Sequence, residues 1–173
     1  IGLYYVNNAL IGTGLKDKIK LAASEKVFSG SSIAMNAALG ANWCNAARGY
    51  MFAIGCIQAQ ACHTNRCPVG VATQDPLRQR ALDPAGKAQR VARFHKNTMA
   101  ALGEMTGAAG LSHPGEFLPY HLMIRNGDMQ MITGEDAYPY LPEGFLLKKT
   151  GPDHDGYRAR WARARADEFA PAT

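Results

Sequence analysis

Residues 19–57 read IKLAASEKVFSGSSIAMNAALGANWCNAARGYMFAIGCI, and the alternation of short apolar runs with helical spacing in this stretch decides the fold class. Ile19 to Ala23 is a short apolar strand entered through Lys16, Asp17 and Lys18, and Ser24 to Gly30 is the loop that follows it. Ser31 or Ser32 can cap a helix carrying Ile33, Met35, Ala38 and Leu39, with Gly40 at its left-handed end. Ala41 to Asn45 is a second strand, and Arg48 to about Ala59 is an apolar helix that buries Met51, Phe52, Ile54 and Ile57. Strands and helices alternating across connections of a few residues predict a parallel sheet of βα units rather than a meander or a bundle.

Upstream, Leu3, Val6 and Leu10 lie at helical spacing, and Gly12 and Gly14 supply a stop. Two strands do not complete a parallel sheet, which needs helices on both faces or a closed barrel, so the missing strands are expected before Ile1. A first residue that is not Met agrees with a cut start. After Cys67 the chain turns to Pro68, Gly70, Pro76 and Pro84, then to a helix from about Gly86 to Met105 with Val91, Phe94, Thr98, Leu102 and Met105 on one face. From Gly107 onward Gly, Pro and Tyr predict a wrap with one short helix in Ser112 to Met123, and the alternation around Trp161 fits a helix or disorder equally. The expected organisation is residues 1–59 as βα units, 60–85 as a cysteine loop and 86–173 as a helical and irregular extension.

With 173 residues, 47% of them hydrophobic, the chain can bury one core. No charged stretch leads into an apolar run at the start, so export is not indicated. The longest near-continuous apolar run, Met51 to Ile57, is far below the roughly 18 to 20 residues of a membrane span. The formal charge is +5, and Arg158, Arg160, Arg163 and Arg165 near the end read as a solvated helical face rather than a nucleic-acid site.

Three of the four cysteines fall between Cys56 and Cys67, too close together to staple distant segments. Their spacing is C-x5-C-x4-C, and a helix ending near Cys56 followed by an irregular loop lets three sulfurs face one centre. Thiolates suit iron-sulfur clusters and zinc. A three-iron cluster, or a four-iron cluster with a non-cysteine or Cys44 ligand, is one reading. A Cys3His zinc site completed by His63 is a second, although structural zinc usually shows C-x2-C knuckles. Buried cysteines without metal are the third. Free thiols need a reducing compartment, which points to the cytoplasm.

The loops after the two strands, Ser24 to Gly30 and Asn45 to Gly49, form another candidate site. In β/α barrels the last two such loops and the helix start that follows bind phosphate through backbone N–H groups. Asn45, Ala46 and Ala47 are small enough for close approach, and Arg48 adds a charge or serves as a solvent-facing cap.

The stretch Ala41 to Asp75, with Ala-Asn-Trp-Cys-Asn-Ala-Ala-Arg-Gly, Ala-Ile-Gly-Cys-Ile-Gln and Cys-His-Thr-Asn-Arg-Cys-Pro-Val-Gly-Val-Ala-Thr-Gln-Asp, resembles the FMN-binding glutamate synthase family, with a weaker likeness from Ile1 to about Leu122. The resemblance implies the last two strands and helices of a TIM-type (β/α)8 barrel that binds FMN, with a 3Fe-4S cluster on Cys56, Cys62 and Cys67. It places Ser24, Glu25, Lys26 and Gly30 in the loop after strand seven and Asn45, Ala46, Ala47 and Arg48 in the loop after strand eight, both near the flavin phosphate. Glu25 stands where the family commonly has glycine, and Ser32 where it often has an acidic residue.

The implied reaction is reductive formation of glutamate from 2-oxoglutarate and ammonia, supplied directly or from glutamine. It proceeds through an imino acid, with hydride from the flavin and electrons from a donor protein or subunit. An enzyme of the same architecture acting on another amino acid, such as an N-methylated one, a structural cysteine loop, and a truncated chain with no stable fold are the alternatives. No catalytic acid, base or nucleophile is assigned.

Overall fold

The computed structural model describes every residue except 25, 126, 128, 149–153, 155 and 170–173. Helix α1 (Gly2–Gly12) leads to strand β1 (Ala22–Ser24), helix α2 (Gly30–Ala38), strand β2 (Trp43–Asn45) and helix α3 (Ala47–Ile54). β1 and β2 pair in parallel with Ala22, Ala23 and Ser24 opposite Trp43, Cys44 and Asn45. The expected order of helix, strand, helix, strand, helix is therefore present, on strands of three residues each.

Local chemistry explains the boundaries. The cap of α2 lies two residues earlier than Ser31, at Ser29: the Ser29 hydroxyl accepts from Ser32 N at 3.2 Å, and the Ser32 hydroxyl accepts from Ser29 N at 3.1 Å. Ser32 thus takes the reciprocal place that an acidic side chain fills in a capping box. Gly30 follows at the first helical position, where a Cβ would lie 2.6 Å from Leu102 N, so glycine is what lets the next long helix press against α2. α3 is shorter than its apolar run suggests. Gly55 adopts φ 111 and closes the helix, with Gly55 N donating to Phe52 O and Cys56 N to Met51 O.

After a short helix α4 (Pro76–Gln79), Asp83 caps α5 (Pro84–Ala108), and Pro84 occupies its first position. Leu102 and Thr106 are buried on α5, with Val91, Phe94 and Thr98 half-buried, while Met105 is exposed. The buried stripe steps by four, which selects Thr106 rather than Met105, and the Thr106 hydroxyl is satisfied by Leu102 O at 2.7 Å. Ala34, Ala38, Leu102 and Phe117 form the core between α2 and α5.

The region expected to hold one short helix instead has two 3-10 turns, Pro114–Glu116 and Pro119–His121, and then an antiparallel pair, β3 (Met123–Arg125) and β4 (Met131–Thr133). Prolines at both turns deny the helix its N–H donors. The short helix α6 (Gly134–Ala137) and a strap through Leu141 and Leu146 return to α1, where Tyr4, Leu141, Leu146 and Tyr157 make a second core. The stretch around Trp161 is helical in α7 (Tyr157–Ala162). Among the described residues no helix is long and apolar enough to cross a membrane.

Candidate cofactor site

α3 enters without a cap. Ala46 precedes it, no side chain bonds its first turn, and that turn holds no acidic residue, whereas α2, α4, α5 and α6 are each capped by a side chain. The first N–H groups of α3 are therefore open donors at the positive end of the helix. Arg48 stands in that first turn, where a cation opposes the helix dipole at a cost of up to about 1 kcal/mol. The arrangement makes physical sense with an anion in front of it.

A pocket of about 180 Å³ lies in front of this helix start, lined by Ser24, Lys26, Val27, Asn45, Ala47 and Arg48. Among the described residues, the Ser24 hydroxyl, the Asn45 amide and the Arg48 guanidinium have no side-chain hydrogen-bond or ion-pair partner. Five of the residues expected around a phosphate thus meet at one place. Gly30 is not among them, being packed against α5, and Ala46 faces a separate cleft with Cys44, Tyr50 and Phe94. Glu25 lies outside the described residues.

On the other side of Ala47 and Arg48 opens a cleft of about 530 Å³, lined also by Met51, Phe52, Cys56, Gln58, Gln60 and Cys62. Three non-glycine residues of this loop hold positive φ: Gln58 at 58°, Gln60 at 54° and Asn65 at 60°. Such angles are disfavoured for side-chain-bearing residues and persist where the surroundings impose them. Part of that imposition is visible. Asn65 accepts from Gln74 N at 2.6 Å through its side chain and from the buried Thr73 hydroxyl at 2.7 Å through its carbonyl. The Gln58 turn directs its N–H at the Cys56 sulfur, 3.5 Å away.

The three thiols differ. Cys56 is half-buried, Cys62 is exposed on the turn Cys62–Thr64, and Cys67 is buried; all are free. The N–H groups of Ala72 and then Val69, with Val71 and Gly70, face the Cys67 sulfur and hold its thiol below the ordinary range, against the opposing effect of burial. Cys44, by contrast, is pushed up by burial alone, which suits a neutral thiol rather than a ligand. Among the described residues no three His, Cys, Asp or Glu side chains are gathered so as to hold a metal ion.

Sequence reading missed Gln58 and Gln60 as walls of this cleft, since nothing in their identity announces a positive φ. It also placed the positive charge on the tail. There Arg165 is paired with Asp167 and Glu168. Arg66, Arg78, Arg80, Lys87, Arg90, Arg93 and Lys96 face only Asp75 and Asp83 over the same span, so the basic surface follows the cysteine loop and the first half of α5.

Residues 1–112 match the model of the conserved region in glutamate synthase. The glutamate synthase large subunit-like protein YerD of Bacillus subtilis is 41% identical over 128 residues, which cover 74% of this chain and 24% of that protein. The glutamate synthase (NADPH) large chain of the same organism is 31% identical over 89% of this chain and 10% of its own length. The ferredoxin-dependent glutamate synthase of Pyropia yezoensis is 32% identical over 76% of this chain and 8% of its own. The chain spans about a quarter or less of these relatives. With a family match over most of its length, and relatives of this identity, the chain belongs to the glutamate synthase family.

Proposed function

We propose that this chain is the cofactor end of a glutamate-synthase-type oxidoreductase, forming the last two βα units of a (β/α)8 barrel with an FMN phosphate site and an adjoining 3Fe-4S cluster loop. The carrying observation is that the phosphate-sized pocket and the thiol cleft share one wall, Ala47 and Arg48. The parallel β1–β2 pair supports the barrel reading, because among the described residues each strand has an unpaired edge and Trp43 and Phe28 are each 52% exposed beside it, as surfaces awaiting further strands and helices would be.

The residues fit the two groups. An uncapped helix start with Arg48, Lys26, Ser24 and Asn45 suits a phosphate. Three free thiols, one already bathed in N–H donors, suit a cluster. Each thiolate of a cluster binds a different iron, so the sulfurs need not meet at a single point. A zinc site with His63 does need four donors around one ion, and that grouping is absent among the described residues.

FMN supplies hydride transfer, and the cluster supplies single-electron passage from a donor protein or subunit. This chain's residues bind and orient: α3 and the loop after β1 fix the phosphate, and Cys56, Cys62 and Cys67 fix the iron. Free thiols suit a reducing compartment, and the cytoplasm is the setting that goes with this reading. The test is turnover by the anaerobically purified holoprotein with a reduced viologen donor, 2-oxoglutarate and either ammonia or methylamine. Glutamate formed from ammonia supports the reading, product from methylamine alone assigns the protein to a different amino-acid substrate, and no turnover with flavin bound removes it.

A further inference from the structure

The partition between the two cavities is made of two residues, and only one of them carries a charge. We propose that Arg48 is a shared positioning residue, whose single positive charge serves the phosphate in one pocket and the thiolates of the cysteine loop in the other. The inference rests on the cofactor reading above and adds a role for one side chain within it.

Three observations converge on Arg48. It lines the pocket with Ser24, Lys26 and Asn45 and also the cleft with Cys56 and Cys62. It has no hydrogen bond or ion pair from its side chain to any described residue, so its donors are not committed elsewhere. It sits in the first turn of an uncapped helix, a place where a cation is unfavourable by itself and becomes favourable once anions flank it. Lys26 lines the phosphate pocket but not the thiol cleft, and Gln60 lines the cleft but not the pocket, so neither spans the two.

A guanidinium has five donors in a rigid fork and stays charged at any working pH, so one Arg can address two anionic neighbours where a neutral amide cannot. A positive charge beside a thiolate-bound cluster favours its reduced, more negative form and raises its potential. The same charge in front of the helix start strengthens phosphate binding.

The experiment compares holoprotein variants R48Q, R48K and K26Q by two readouts: the dissociation constant of FMN, and the midpoint potential of the cluster from an EPR-monitored titration. R48Q is expected to weaken FMN binding by tenfold or more and to lower the cluster potential. R48K keeps the charge and loses the fork, so the potential stays near the native value while FMN binding weakens by a smaller factor. K26Q weakens FMN binding and leaves the potential unchanged. A shift in only one property with R48Q, or a potential in R48K as low as in R48Q, overturns the shared role. Should R48Q fail to accumulate, R48K decides: native potential with weakened FMN supports the proposal, and lowered potential with native FMN binding contradicts it. A native protein that holds neither cofactor fails the functional reading itself, and the proposal with it, a result distinct from any variant effect.

Discussion

The cysteine loop, residues 56–75, and the strap through residues 138–147 are both irregular chain, and each is tied down by one asparagine. Asn65 brackets Thr73 and Gln74 in the loop. Asn8 brackets the strap, donating to Pro139 O at 3.1 Å and accepting from Leu141 N at 3.0 Å. The difference is what covers the bonds. The strap's ties lie among Tyr4, Leu141, Leu146 and Tyr157, with the Tyr4 hydroxyl also donating to Pro139 O and the Tyr140 hydroxyl to Ala38 O. The cysteine loop has two of its thiols in an open cleft and three non-glycine residues, Gln58, Gln60 and Asn65, at left-handed φ. The strap is buried and satisfied, whereas the cysteine loop is left open and holds disfavoured backbone angles, the setting in which binding loops are commonly found.

Substitutions can break that contrast. Leu141→Ala, at a side chain 2% exposed, should cost about 3 kcal/mol in urea-induced unfolding, with cofactor content per folded molecule unchanged. Asn65→Ala should cost less globally, about 1 to 2 kcal/mol from the lost acceptor, yet speed amide hydrogen exchange across the cysteine loop and lower bound iron. Asn65→Gly, which keeps the positive φ at no steric cost, should recover part of that exchange protection.

The smallest effect sharpens the strap side. Tyr140 is pushed up to about 12 by burial, with the neighbouring Asn7 amide opposing the shift; that amide is fully buried and among the described residues meets hydrogen-bond geometry with no group. A phenol whose pKa is raised in the folded protein favours folding below its ordinary value of 10.0, and this contribution is lost as pH rises from there through about 12. Tyr140→Phe should therefore lose about 1 kcal/mol at neutral pH, from the bond to Ala38 O, and the gap to the native protein should narrow above pH 10. Unfolding curves at neutral and alkaline pH check both the size and the sign.

Much of the region from β1 to the cysteine loop was legible because its signals are local. Gly40 marks a helix end by needing left-handed φ, and the apolar runs before Ser24 and before Asn45 read as short strands between helices, whereas Gly55, also left-handed, ends α3 inside an apolar run that reads as helix to about Ala59. The spacing of Cys56, Cys62 and Cys67 marked the loop, although the separate settings of the three thiols depend on turns that no residue type dictates. The strap was illegible for the opposite reason. Its pairing with α1 joins residues more than 130 positions apart through Asn8 and Tyr4, two polar residues that an amphipathic pattern assigns to solvent. The β3–β4 pair was hidden by its length, three residues a strand without an alternating run to announce it.

The central claim is that a phosphate pocket and a thiol cleft meet at Ala47 and Arg48 to hold two redox groups side by side. Metal, acid-labile sulfide and flavin analysis of the anaerobically purified holoprotein tests it most directly. The account predicts iron and acid-labile sulfide in the three-to-four proportion of a 3Fe-4S cluster together with FMN, the iron lost in Cys62→Ser. Zinc in place of iron, or iron-free protein with its flavin bound, would contradict it.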